Sequence, residues 1–385
     1  MDAIHQRVVI VGAGPTGLSL GAELRRLGES PLILDRLAAG ENTSRACVVH
    51  ARTLEVLEEM GATSELLRRG LKVQIFRIRD RSRILATVNF KDLRSKYRFT
   101  LMCPQNRVED ILLRRLQRFG GAVERPAEVI ALRPRENDVE LQVKSGEDTR
   151  TIHANWVIGC DGAHSVVREQ AAIAFEGGAY EESFILADVE MHWPISRDEV
   201  TLFYSEKGLV VVAPLPDDHF RIVASVQQAA PEPSLADFES ILDECGPVNN
   251  ALTIRRMVWS SRFHIQHRVA NTLRQGRVLL AGDAAHAHSP AGGQGMNTGI
   301  QDAVSLANAL HIVIESGDDA ILNNWQTERM KVAQSVVDLT DRLTKVATIS
   351  SPVLKVLRNT AVELIGHIPF ATRAAAERLA ELTYK

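Results

Sequence analysis

The stretch Arg7 to Arg36, RVVIVGAGPTGLSLGAELRRLGESPLILDR, constrains the fold more than any other part of the chain. It opens with a short apolar run, Val8 to Val11, of the kind that forms a buried parallel strand. The run breaks into Gly12-Ala13-Gly14-Pro15-Thr16-Gly17 and then becomes helix-periodic, with Gly17, Gly21, Leu24 and Gly28 on one face. Three glycines on that face predict a helix lying very close to the sheet beneath it. A second apolar run, Leu32 to Leu34, ends in Asp35-Arg36. These are the physical parts of a dinucleotide-binding βαβ unit. Gly12 makes the tight turn, Gly14 admits a pyrophosphate, Gly17 lets helix and strand approach, and the helix start at Pro15-Thr16 faces the phosphates. Asp35, with Arg36 beside it, is placed to accept from a ribose hydroxyl. The alternative is an ordinary glycine-rich strand–helix turn; both strands, the glycine face and the acid together favour an adenine dinucleotide.

Length and composition narrow the class. A chain of 385 residues suffices for two modest domains or one large α/β unit, and 45% hydrophobic with 24% charged residues is the balance of a globular protein. A formal net charge of −3 gives no ground for a nucleic-acid or membrane-surface partner. No apolar run reaches membrane-spanning length, and the first strand begins almost at the N-terminus, which leaves no room for a signal peptide, so a cytoplasmic location is expected. Four cysteines, Cys47, Cys103, Cys160 and Cys245, are scattered without a CxxC pair. A disulfide framework, a zinc site and a disulfide-reductase type of flavoenzyme are therefore not indicated.

Beyond Asp35, Arg45 precedes a helix predicted over Thr53 to Met60 and ended by Gly61. It is either a solvated arginine or a charge aimed at the dinucleotide phosphates, and spacing does not decide. Residues 72 to 90 alternate as an antiparallel excursion. Gln105 to Phe119 reads as a helix with Val108, Ile111, Leu112, Leu116 and Phe119 on its apolar stripe, followed by strands at 122–125, 127–133, 138–144 and 149–153. The apolar strand Trp156 to Ile158 then runs into Asp161-Gly162, where Asp161 either caps the next helix or sits where ligands bind in α/β sheets. An alternating block comes next, with strands at 184–191, 199–204, 208–213, 219–226 and 254–263 and one helix from Leu235 to Leu242. It is expected to be an inserted substrate domain. The chain returns to an apolar strand, Arg277 to Ala281, ending in Gly282-Asp283. Next come the loop Pro290-Ala291-Gly292-Gly293-Gln294-Gly295-Met296-Asn297 and a long helix through Ala309. Three glycines within four positions bring backbone against something flat or anionic, and the helix start beyond them is a second partial positive pole. His286 and His288 lack the partners of a usual zinc spacing, so no metal is assigned. The last 65 residues or so are predicted helical, with breaks at Ser350-Ser351-Pro352 and near Pro369.

Together, GAGPTG, CDGAHSVVR and AGDAAHAHSPAGGQGMNTGIQDA resemble the single-component FAD-dependent aromatic hydroxylases, the group A flavin monooxygenases with the p-hydroxybenzoate hydroxylase fold. The last segment is the most specific and is similar to the phenol-hydroxylase and polyketide-hydroxylase branch. The resemblance spans essentially the whole chain. It departs at the end, because many relatives in that branch carry a thioredoxin-like domain and this sequence stops after Tyr384-Lys385; the flavin and substrate sites are expected upstream.

The resemblance implies an α/β fold. Its parts are a Rossmann-like FAD-binding domain (residues 1–71, 100–178 and 269–330), an inserted, mostly antiparallel β substrate domain (72–99 and 179–268) and a C-terminal helical segment (331–385). It implies NAD(P)H and O₂ as co-substrates and hydroxylation of a phenolic or polyketide-like compound through a flavin C4a-hydroperoxide, with no separate NAD(P)H-binding Rossmann domain. Carried over position by position, Gly12, Gly14 and Gly17 hold the pyrophosphate and Asp35 the adenosine ribose. Arg45 and Gln105 touch the phosphates and ribityl region, and Asp283 binds the ribityl chain. Asp161 and Gly162 serve FAD contact and NAD(P)H use, and the backbone of Met296 and Asn297 meets the pyrimidine edge. Gly293 and Gly295 are cofactor contacts as well, and Pro290, Gly292 and Gly293 lie at the reacting pocket, expected to be closed and mostly apolar. The catalytic base is not identified; His286 and Tyr204 are candidates that packing explains equally well. Alternatives are another oxidative flavoenzyme of the same fold that does not hydroxylate, or a protein that binds FAD without catalysis. A halogenase is disfavoured, since the four tryptophans are isolated and the WxWxIP signature is missing. A monomer or homodimer is expected.

Overall fold

The first strand, Ile4–Val11, lies parallel between Leu32–Leu34 and Asp148–Gly159, with Val9 and Ile10 completely buried. The computed structural model describes residues 4–40, 46–205, 208–226, 229–248, 252–349 and 351–384. Val278–Leu280 extends the parallel order beyond Asp148–Gly159, and Val123–Glu124 extends it beyond Leu32–Leu34. The run of Val and Ile without alternation has its cause here, because both faces of these strands are covered. Helix Pro15–Arg26 packs between Gln105–Arg118 and Gly295–Ser316, and all three contribute buried residues to the core over the sheet. Val108, Ile111, Leu112 and Leu116 are fully buried, as their spacing predicts, while Phe119 is only half-buried.

Three local expectations change. Gly28 is not on the helix face: the helix ends at Arg26, and Gly28, with φ +94°, is the left-handed residue that turns the chain out of it. The helix predicted over Thr53 to Met60 is instead Ala51–Val56, succeeded across Gly61 (φ +73°) by a second helix, Ala62–Arg69. The strands expected at 149–153 and 156–158 are one strand, Asp148–Gly159. Its first part pairs with Val139–Ser145 and its last part with Ile4–Val11, so no break is needed.

The second sheet runs in the order His286–Ala287, Thr253–Ala270, Phe175–His192, His219–Val226, Leu209–Pro214, Glu199–Tyr204, Ile75–Asp80, Arg83–Asn89. The excursion at 72–90 thus joins this sheet through a parallel pairing with Glu199–Tyr204. Helix Leu235–Cys245, started by a Ser234–Asp237 capping box, buries Phe238 and Leu242 against Ile185, Ala187, Val189, Phe220 and Ile222 on one face of the sheet. The expected domain limits at 178/179 and 268/269 fall inside two 18-residue strands, Phe175–His192 and Thr253–Ala270. The limit at 330/331 falls inside helix Ala320–Ala347. Two further helices, Pro352–Gly366 and Pro369–Leu379, each begin on a proline, the residue suited to a first helical turn. Among the described residues no helix is long and apolar enough to cross a membrane.

Candidate functional site

Three neighbouring parallel strands deliver the sequence motifs to one edge: Ile4–Val11 runs into Gly12, Asp148–Gly159 into Asp161-Gly162, and Val278–Leu280 into Gly282-Asp283. Their loops touch. A Cβ on Gly12 (φ +100°) would stand 2.3 Å from the Cys160 carbonyl oxygen, and one on Gly17 would stand 1.9 Å from the Gly12 carbonyl oxygen. The Thr16 hydroxyl fills the centre, since a Cβ on either Gly282 or Gly299 would meet it at 2.5 Å. Thr16 is therefore held by packing between the two glycine motifs. Gly14 and Gly162 are different: nothing lies within 4 Å of a Cβ at either position. Gly14 is the N-cap of helix Pro15–Arg26 and offers no side-chain cap, so the open space lies at a bare, positively polarised helix start.

The acids around this edge are held by backbone. Asp35 is 9% exposed; its Oδ2 accepts from Ala13 N at 2.6 Å and its Oδ1 from Leu37 N at 2.9 Å, with the Arg125 guanidinium 3.8 Å away. The carboxylate so braces the glycine turn itself, while Arg36 is exposed. Ser165 caps helix Val166–Gln170, and Asp161 supports that start by accepting from Ser165 Oγ at 2.5 Å and Val167 N at 3.2 Å; burial pushes the Asp161 carboxyl up against those bonds. Gln105 opens its helix, its amide bridging Ala46 N (3.2 Å) and Glu109 Oε1 (2.9 Å). Asp283 lies exposed in the 3-10 turn Gly282–Ala284. Arg45 lies outside the described residues. Arg168, to which the sequence assigned no role, is buried and donates to the carbonyls of Ala284 (3.0 Å) and Ala163 (2.9 Å). It therefore ties the Asp-Gly loop to the Gly-Asp loop.

The late glycine loop is fixed by three fully buried polar residues. His50 donates its Nε2 hydrogen to the Gly292 carbonyl at 2.7 Å, and Gln294 Nε2 donates to the carbonyls of Gly292 (3.1 Å) and Leu379 (3.0 Å). Asn297 Nδ2 donates to Val48 O (2.8 Å) and Gly293 O (2.7 Å), and its Oδ1 accepts from His50 N (2.8 Å). Gly292 and Gly293 have φ of +80° and +67°, and a Cβ on Gly293 would collide with Val48 at 2.7 Å. Helix Gly295–Ser316 then starts without a side-chain cap, with Gly295 and Met296 half-buried and Pro290 exposed. Burial pushes both His50 and His288 down to about 4. His50 Nδ1 and His288 Nε2 are buried without a hydrogen-bond partner among the described residues, and the His288 ring edge lies 3.5 Å from a Cβ on Gly295. Two bare helix starts, open space at Gly14 and unsatisfied polar atoms beside the glycine loop fit an extended anionic ligand carrying a planar polar ring.

The candidate bases are committed elsewhere. His286 Nε2 is 2.7 Å from Asp302 Oδ2, and Arg329 Nε donates to Asp302 Oδ1 at 2.6 Å; all three are buried. The Arg329 guanidinium, with the His286 hydrogen bond, holds the Asp302 carboxyl down to about 2 despite its burial. Tyr204 is buried with the Arg358 guanidinium 4.8 Å from its ring centroid, and burial pushes its phenol up.

Opposite the glycine loop, the second sheet contributes Val200, Ala213 and Leu215 to an apolar seam with Cys47, Ala51 and Met102. At its border Arg221 makes a bidentate pair with Asp188 (2.8 Å each), Trp259 Nε1 donates to the same carboxylate at 3.0 Å, and Arg221 reaches the Cys47 thiol. A separate cleft of about 340 Å³ is lined by Arg52, Glu55, Arg94, Glu377, Leu382 and Tyr384 and includes none of the glycine-motif residues. Among the described residues no group of three or more His, Cys, Asp and Glu is arranged to hold a metal ion. Gln294 lay inside a motif already singled out, where a polar residue between glycines was the available signal; His50 has no glycine near it in sequence, and Arg221 and Asp188 sit in alternating strands, so none of these three gives a signal.

Residues 5–340 match the family described as FAD binding domain. The chain is 33% identical over 339 residues to a pentachlorophenol 4-monooxygenase of Sphingobium chlorophenolicum, covering 86% of this chain and 63% of that protein. It is 34% identical over 362 residues to a 6-methylpretetramide 4-monooxygenase of Streptomyces rimosus, covering 92% and 64%. The chain thus spans less than two thirds of the length of either relative. The solved p-nitrophenol 4-monooxygenase of Pseudomonas putida DLL-E4 superposes with a TM-score of 0.88 over 100% of both chains at 23% identity, a likeness of fold. The anhydrotetracycline hydroxylase of Streptomyces rimosus superposes with a TM-score of 0.83 over 98% of this chain and 76% of its own at 30% identity.

Proposed function

Because the chain belongs to the FAD binding domain family, we propose that it is an FAD-dependent monooxygenase that uses NAD(P)H and O₂ to hydroxylate an aromatic, phenolic or polyketide-like substrate. The observation that carries this reading is the meeting of three strand-end glycine loops with two uncapped helix starts, in a chain about one-third identical to named monooxygenases. In this reading the helix start at Gly14-Pro15-Thr16 binds the pyrophosphate, with Gly12 and Gly17 keeping loop and helix close enough. Asp35 binds the ribose and Asp283 the ribityl chain. Arg45, Gln105, Asp161 and Gly162 contribute further contacts, and Arg36 flanks the ribose site. The amides of Gly295, Met296 and Asn297 meet the pyrimidine edge of the ring.

FAD, when bound, supplies the transfer of electrons from NAD(P)H and the activation of O₂. The protein's part is charge, position and dryness. The N-terminus of Gly295–Ser316 stabilises negative charge next to it, and the His50–Gln294–Asn297 network fixes that end so that little reorganisation is needed. The apolar seam beside it excludes water. We place the substrate between the loop from Pro290 to Gly293 and the second sheet, next to the Asp188–Arg221 pair. The purified chain is expected to be yellow, and its NAD(P)H consumption, screened against phenolic and polycyclic aromatic compounds, should accelerate with a subset of them. A colourless protein that takes up no FAD would contradict the proposal, and so would a flavoprotein whose NAD(P)H consumption no compound accelerates.

A further inference from the structure

The C-terminal segment grips the late glycine loop from behind. Ala376 and Ala380 join the apolar seam with Cys47 and Ala51, and Leu379 Cδ2 lies 3.0 Å from a Cβ on Gly292. The Leu379 carbonyl accepts from Gln294 Nε2 at 3.0 Å, and the Ala380 carbonyl accepts from Arg52 N at 3.2 Å. Glu381 then adopts a left-handed backbone, φ +60°, uncommon for a residue with a side chain, and is only 1% exposed. That turn carries its carboxyl onto the first two turns of helix Gly295–Ser316. There it meets Gln301 Nε2 and lies 3.3 Å from Thr298 Oγ1.

The Thr298 hydroxyl has one hydrogen and lies 3.1 Å from the Gln294 carbonyl, which can only accept. With that hydrogen given to Gln294, the contact to Glu381 needs a hydrogen from the carboxyl itself. The charged groups facing Glu381 are Arg329 and Asp302, and they are paired with each other at 2.6 Å, with His286 on the far side of Asp302. Among the described residues no cation is left to neutralise a carboxylate, and burial pushes the Glu381 carboxyl up to about 8. It is neutral below that pH and ionised above it.

Building on the FAD reading, we propose that Glu381 is a positioning residue for the flavin ring. Its neutral carboxyl locks the start of helix Gly295–Ser316, and through Leu379 and Gln294 the glycine loop, while keeping a second negative charge away from the helix end. An ionised carboxylate there would compete with the flavin for the helix dipole.

The test measures FAD release from the FAD-loaded full chain, together with the visible absorption spectrum, at about pH 6.5 and about pH 9. Native chain should bind FAD about tenfold more weakly at the higher pH, with a shifted spectrum, while Glu381→Gln stays within about threefold of its own value across the range. Glu381→Ala should release FAD about tenfold more readily already at the lower pH. Glu381→Gln is neutral and nearly isosteric, so it reads the charge even if Glu381→Ala does not fold. A Glu381→Gln variant with the same pH response and spectrum as the native chain overturns the inference and leaves the FAD reading intact. A native chain that holds no FAD overturns both.

Discussion

At the scale of single residues, glycines one turn apart do different work. Gly17 is filled in by the Gly12 carbonyl, whereas Gly14 faces open space. Gly17→Ala should therefore fail by overpacking, losing about 1–3 kcal/mol or more, which a denaturant melt will show. Gly14→Ala should keep the native melt yet lose FAD, because its methyl group projects into the space assigned to the pyrophosphate. Equal melts for the two variants would remove that distinction. Asp283 is exposed beside the same edge, and its Ala variant should hold FAD more weakly by roughly 1.5–3 kcal/mol, the worth of a hydrogen bond to a charged group, without a change in melting. Fluorescence of released FAD measures it; unchanged retention would return Asp283 to a purely local role in its turn.

At the scale of elements, helix Ala320–Ala347 is tied to helix Gly295–Ser316 by Arg329, whose guanidinium holds the buried Asp302 carboxylate that also engages His286 and the Gly282 amide. Arg329→Ala leaves that carboxylate buried and short of its cation, and should cost about 3–5 kcal/mol in a denaturant melt, whether or not FAD is present. A loss under 1 kcal/mol or so would mean that water replaces the guanidinium. Elements whose period matches one environment were legible in the sequence. Val8 to Val11 and the stripe from Val108 to Leu116 each declared their type by spacing alone. The join of residues 149–153 to 156–158 was not legible, because which strand pairs with which is a long-range fact. The second helix at Ala62–Arg69 was hidden for a related reason: Gly61 reads as the stop of one helix and equally as the start of another. Within the site, glycines and acids stood out by type and position. His50, Arg168 and Glu381 acquire their roles only when the fold buries them against distant backbone, and no local pattern carries that.

At the scale of the whole molecule, two sheets meet over a seam. One presents its strand ends, loops and helix starts; the other closes the seam with Val200, Ala213 and Leu215 and anchors it through Arg221 and Asp188. The helical C-terminal segment completes the same seam with Ala376 and Ala380, so the loop beside the assigned ring site is fixed from both sides. Such an enclosure matters for oxygen chemistry, because water in the site diverts reduced flavin and O₂ to hydrogen peroxide. NAD(P)H oxidation should accordingly be slow without an aromatic substrate and accelerate with one. The most direct test is turnover in isotopically labelled O₂ with such a substrate, and then mass spectrometry of the product. One labelled oxygen atom in the product, with the other leaving as water, is the predicted result. Unlabelled product accompanied by stoichiometric hydrogen peroxide would contradict hydroxylation and leave a flavoprotein oxidase.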